Sequence, residues 1–142
     1  MRLLLPALIL AAALASPALA ADKLVPPTAT GALEAHRGKP WYEPLETCAG
    51  FHIYNSRRLS AASDGAGYEA AMTRAADFMM PAAKRISEDQ GKTFGEGLEA
   101  AQPQVQDYAM ALEMTGSGKP DFIAGWTRAC DEILSGYKKA FG

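Results

Sequence analysis

Apolar residues recur along this chain at helical spacing in four successive runs. In residues 43–62, Leu45, Cys48, His52, Asn55 and Leu59 follow one another at three- and four-residue steps and share a face, which Ala49, Phe51 and Ile53 widen. This predicts a first helix, with Pro44 accommodated in its opening turn. The run Ser-Asp-Gly-Ala-Gly at 63–67 predicts a turn. A second stripe, Tyr68, Met72, Ala75, Ala76, Met79, Ala83 and Ile86, predicts a helix over 68–88. Pro81 is expected to kink it near Asp77, and Gly91 to cap its C-terminus. Thr93 and Glu96 stand at capping-box spacing and open a third helix, along which Leu98, Ala101, Val105, Tyr108 and Leu112 are apolar. Pro103 is expected to kink or split it, and Gly116-Ser117-Gly118 to close it. The fourth helix begins at Pro120-Asp121 and runs nearly to Gly142. It carries the strongest stripe, Phe122, Trp126, Cys130, Ile133, Tyr137 and Phe141, and places Lys138 and Lys139 where they complement the helix dipole.

Alanine is abundant and β-branched residues are few, which favours helix over strand. With short Gly-rich turns between the runs, the expected fold is all-α: an antiparallel four-helix bundle or a close variant, occupying residues 43–142. Residues 21–42 read differently. Pro26-Pro27, Thr30-Gly31 and Gly38-Lys39-Pro40 punctuate them, and only residues 33–36 have the pattern of a helical turn. They predict an extended N-terminal arm, docked by the first large apolar anchor, Trp41-Tyr42.

The first 20 residues have the form of a secretory signal peptide. Arg2 precedes about a dozen apolar residues, too few for a membrane span of roughly 20. Ser16-Pro17 then breaks the run, and Ala18-Leu19-Ala20 offers small residues for cleavage after Ala20. No cysteine follows the apolar core, which argues against a lipid anchor, and no stop-transfer pattern follows, which argues against a retained one. The expected address is the periplasm or the exterior, with the membrane met only through the cleaved signal. The chain carries a formal charge of -2. Loss of Arg2, with no acidic residue lost, takes the mature chain to about -3. That balance provides no electrostatic footprint for nucleic acid. The basic pairs Arg57-Arg58 and Lys138-Lys139 read as solvated helix faces.

Export changes the meaning of the two cysteines, Cys48 and Cys130. Each lies on an apolar stripe, one on the first helix and one on the last. In an oxidising compartment they are expected to pair and tie the ends of the bundle together. Closing a loop of about 80 residues contributes up to roughly 4–5 kcal/mol by chain entropy. A redox pair would call for CxxC spacing, which is missing. Cys48 and His52, four residues apart, have the spacing of a thiol–imidazole pair or half a metal site, but a paired sulfur serves neither role. Met72, Met79, Met80, Met110 and Met114 have the soft thioethers that suit copper(I), yet methionine at helical spacing is also ordinary core filler. There is no CxxCH for covalent haem. No GxSxG, P-loop or HExxH occurs, and the adjacent carboxylates Glu88-Asp89 and Asp131-Glu132 diverge on a helix. No catalytic residue, cofactor or metal ligand is therefore assigned. Trp41 and Tyr42 are the candidate residues of a modest exposed interaction patch. The expected role is non-catalytic: protein interaction, an accessory subunit or a chaperone, with another periplasmic or envelope protein as partner. The alternatives are a small-ligand or metal carrier using the bundle interior, and an enzyme of unidentified type.

The segment Leu45-Glu46-Thr47-Cys48-Ala49-Gly50-Phe51-His52-Ile53-Tyr54, followed far downstream by Ala129-Cys130-Asp131-Glu132-Ile133-Leu134, resembles the frame of small exported two-cysteine helical proteins encoded widely in proteobacteria. The resemblance spans the mature domain and implies no functional site beyond the disulfide. The small periplasmic acid-stress chaperones share its single helical domain and single disulfide as an analogy of architecture, though this chain is longer.

Overall fold

A computed structural model describes residues 19–142; the expected export signal, apart from its last two residues, lies outside the described residues. Four helices follow the predicted runs: α1 (Tyr42–Ala61), α2 (Gly65–Gln90), α3 (Phe94–Thr115) and α4 (Pro120–Phe141). Local chemistry sets their ends. The Asp64 carboxylate accepts the Gly67 N–H at 2.9 Å, so α2 starts a turn before its apolar stripe does. A Cβ on Gly67 would run into that carboxylate. Gly91 ends α2 with φ 63° and ψ 36°, the left-handed cap that glycine reaches without strain. The predicted capping box is formed: the Glu96 N–H donates to Thr93 Oγ1 at 3.2 Å, and the Thr93 N–H donates to Glu96 Oε2 at 2.8 Å. Pro103 does not split α3, and α2 continues through Pro81. Pro103 is exposed and Pro81 half-buried.

The helices alternate in direction, but they do not form a square bundle. Helix α1 is central, in close contact with α2, α3 and α4. Three consecutive residues show how. The sulfur of Cys48 bonds to Cys130 of α4. Ala49 meets α2 around Ala75 and Met79. Gly50 abuts α3, where an added Cβ would stand 2.6 Å from Tyr108 Cβ and 2.9 Å from the Val105 carbonyl oxygen. Steps of about 100° along a helix aim successive residues a third of a turn apart, at three neighbours. One turn on, the Phe51 ring stacks on Trp126 of α4 at 5.4 Å, and the His52 ring stacks on Phe78 of α2 at 5.3 Å. Tyr54 meets Phe122 at the start of α4, and Trp41 meets Phe141 at its end, so α4 runs antiparallel to α1. Gly97, near the start of α3, sits against the Ala83 carbonyl late in α2, so these two are antiparallel as well. Half of α1 is buried, including Leu45, Cys48, Ala49, Phe51 and the polar Glu46 and His52.

The N-terminal arm lies outside the helices and folds back on itself. Its extended backbone is interrupted by 3-10 turns at Ala21–Lys23 and Gly31–His36, the second covering the predicted turn. Leu24 and Pro40 form an isolated antiparallel bridge. The Val25 N–H donates to the Lys39 carbonyl, and the Gly38 N–H donates to the Val25 carbonyl, each at 2.9 Å. Val25 is fully buried by this closure. The loop docks on α4 through the Ala32 N–H, which donates to Glu132 Oε2 at 3.0 Å, and on α2 through Lys23, 3.8 Å from Asp89. Trp41 completes the seam as the predicted anchor, edge-on to Tyr137 and Phe141 at 6.2 and 6.0 Å. Arg85 stacks over the Phe141 ring at 4.2 Å and lies 3.6 Å from Asp89. Burial raises the Asp89 carboxyl above its usual range, and Arg85 and Lys23 oppose that rise.

Cys48 and Cys130, 82 residues apart, are bonded with Cα atoms 5.6 Å apart, and both are fully buried. The oxidised protein is expected to show no free thiol to a reagent under native conditions. Reduction should remove roughly 4 kcal/mol of stability and lower Tm by more than about 10 °C; two thiols titrating in the native protein would contradict the pairing. Gly50→Ala is expected to cost about 1–3 kcal/mol in chemical denaturation, because the α1–α3 contact has no room for a methyl group. An unchanged midpoint would show that α3 moves away freely.

Candidate functional site

The Cys48/His52 face of α1 forms the first candidate, and the structure removes the nucleophile from it. Cys48 is held in the disulfide, so no thiol faces the imidazole. His52 is only 3% exposed. It stacks on Phe78 and meets Phe51 edge-on at 4.9 Å, and its buried Nε2 has no hydrogen-bond partner among the described residues. Arg74 caps this face from α2, with its guanidinium 5.4 Å from the centre of the Phe78 ring and paired with Asp77 and with Asp131 of α4. Burial pushes the His52 pKa down to about 4; Arg74 adds to that effect, and Asp131 and Asp77 oppose it. The other histidine, His36, lies on the far side of the disulfide. It lines a cavity of about 260 Å³ under the arm with Thr47, Trp126, Cys130 and Ile133. Among the described residues, no three His, Cys, Asp or Glu side chains are grouped to hold a metal ion.

A second candidate is an apolar cleft of about 190 Å³ where α1, α2 and α3 meet. Ala49, Ile53 and Val105 form its floor, and Met72 and Met79 form its wall on α2. Met72 is 37% exposed, and Tyr68, one turn earlier on the same edge of α2, is 39% exposed. The α2 stripe read from the sequence as core therefore straddles the core boundary: Ala75 and Ile86 are inside, Met72 and Tyr68 outside. Met80, Met110 and Met114 are exposed and do not line this cleft, so the five methionines do not converge on one ligand set.

The expected exposed patch at Trp41 and Tyr42 is corrected in part. Trp41 is buried, because Tyr137 and Phe141 on α4 cover it; only Tyr42 reaches the surface, half-buried. Tyr42 borders a different feature, a polar pocket of about 280 Å³ that also contains Glu46. Glu46 was not among the residues singled out from the sequence. Its signal was legible all the same: Glu46, Ala49, Gly50 and Ile53 fall at helical spacing on one face, so a carboxyl group on that face had to point inward.

Comparison with known protein families, curated proteins and solved structures returns no match. No described helix is long and apolar enough to cross a membrane.

The neutral His52 imidazole makes a pH prediction. Its folded pKa is depressed, so its stabilisation is complete above the unfolded value of about 6.5 and is lost as pH falls through about 4. His52→Phe keeps an aromatic ring and removes the titration. The stability of this variant relative to the natural protein should rise by about 3 kcal/mol between pH 7 and pH 4, measured by urea unfolding at each pH. A constant difference would mean that His52 is free to charge in the folded state.

Proposed function

We propose that this chain is an exported, non-catalytic binding protein whose methionine-walled cleft receives apolar side chains of another envelope polypeptide. The observation that carries the reading is the cleft between α1, α2 and α3, open beside Met72 and Tyr68. Methionine is unbranched and polarizable, and it re-packs around different apolar shapes, a property used at adaptable binding surfaces. An apolar hollow on a small domain marks a binding site more often than an unfilled core. The sequence supports the setting: the apolar run of residues 3–14 and the small residues at 18–20 have the form of an export signal, and a buried disulfide persists where the surroundings are oxidising. The chemistry near Cys48 and His52 also favours binding over turnover, because the sulfur is bonded and the imidazole is sealed between aromatic rings.

The test is suppression of aggregation of a chemically reduced client protein, followed by light scattering. At equimolar ratio the oxidised protein should slow aggregation, and Met72→Glu should weaken the effect several-fold with Tm within a few degrees of the natural protein's. Equal scattering with and without the protein, or full activity of Met72→Glu, would overturn the reading.

A further inference from the structure

Glu46 lies two residues before the disulfide cysteine Cys48, only 4% exposed, in a helix packed on three sides. Among the described residues it makes no hydrogen bond and no ion pair. A carboxylate so largely withdrawn from water, with no protein partner, is costly for a small domain to carry. The nearby acid does not share this condition. Glu43, one turn earlier, accepts from the Lys39 ammonium at 2.7 Å and is satisfied at the surface.

What Glu46 does face is the pocket of about 280 Å³ between α1, the end of α2 and the first half of α3. Its lining is chemically one-sided. Besides Glu43 and Glu46 it presents the amides of Gln90 and Gln104 and the rings of Tyr42 and Tyr108. Among the described residues no Lys or Arg lines it, and α2 and α3 contribute no carboxylate or cation to it. With Lys39 committed to Glu43, the pocket holds one uncompensated acid and therefore one negative charge when that acid ionises.

We propose that this pocket binds a small monovalent organic cation, an ammonium or guanidinium group on a short apolar stem, with Glu46 as its counter-ion. The N–H donors of such a group match the acceptors on offer, the Glu46 carboxylate and the amide oxygens of Gln90 and Gln104. The tyrosine rings add the face attraction that aromatic groups exert on ammonium and guanidinium ions. Ile86, at the α2 wall, supplies an apolar contact for the stem. The site lies on a different stretch of α1 from the methionine cleft and stands independently of the function proposed above.

Without a counter-ion the acid is held neutral at pH 7. Burial, with Glu43 adding to it, pushes the Glu46 pKa up to about 8. The titratable groups that face it are Glu43, held by Lys39, and the phenols of Tyr42 and Tyr108. Binding a cation at pH 7 therefore expels the Glu46 proton. Affinity should rise nearly tenfold per pH unit below about 8 and level off above it.

The experiment is isothermal titration calorimetry on the oxidised full-length mature chain in phosphate buffer, since amine buffers would compete. The probes are n-butylamine and n-butylguanidine, with n-butanol as the neutral control. We expect both cations to bind, butanol to give no heat, and affinity to tighten at least fivefold between pH 6.5 and pH 8. Glu46→Gln, equal in size but without the charge, should lose at least tenfold in affinity while its Tm stays equal or rises. The inference is overturned if neither cation binds at millimolar concentration, or if Glu46→Gln binds as well as the natural protein.

Discussion

The contact that organises this molecule is the one around Cys48, Ala49 and Gly50. A helix covered on one side needs a single apolar stripe, but a helix covered on three sides must satisfy a different neighbour at every 100° step. Here Cys48 bonds to α4, Ala49 faces α2 across the cleft it shares with Ala75 and Met79, and Gly50 lets the α3 backbone come close. Each residue type suits its neighbour, and exchanging any two would leave a clash on one side and a void on another. The disulfide then fixes α4 against α1. Phe51 stacked on Trp126, and Trp41 against Phe141, extend that contact along both helices.

This arrangement explains why polar groups end up inside so small a domain. Once α1 is surrounded, most residues of its middle turns are covered, whatever their chemistry. His52 is accommodated as a neutral ring between Phe51 and Phe78, with Arg74 and its two aspartates closing the surface. Glu46 has no such neighbours and opens instead onto a pocket of amides and phenols. The two groups oppose each other in acid. Between about pH 4.5 and 6.5, lowering pH costs stability through His52 and returns it through Glu46, so the whole protein should be less sensitive to mild acid than either site alone.

The arm has a matching logic. Residues rich in proline and glycine cannot add a helix, but they can close a loop, and the Leu24–Pro40 bridge does so. The loop covers one side of the α4 seam, borders the cavity beside His36, and brings Lys23 to the buried Asp89, which would otherwise depend on Arg85 alone. Binding features are thereby left on the other faces of α1, where the methionine cleft and the Glu46 pocket lie between helices that nothing further covers.

Local interactions made much of this legible in the sequence. Period, caps and breakers are written within a few residues of one another, so the four helices, the Thr93–Glu96 capping box, the Gly91 cap and the anchoring role of Trp41 could be read directly. The disulfide followed from two cysteines on apolar stripes behind an export-like signal. The split allowed for at Pro103 rested on the same local rules, yet α3 runs on through it. Whether Trp41 is exposed was not a local question: it is settled by Tyr137 and Phe141, nearly a hundred residues away. The same holds for the boundary that leaves Met72 outside and Ala75 inside, and for the pocket that Glu46 shares with residues from two other helices. A side chain's own spacing tells which way it points; only the packed neighbours determine what it meets there. In this protein the sequence alone determined the elements and their staple, and the three-sided packing of α1 decided which of its polar and apolar groups became sites.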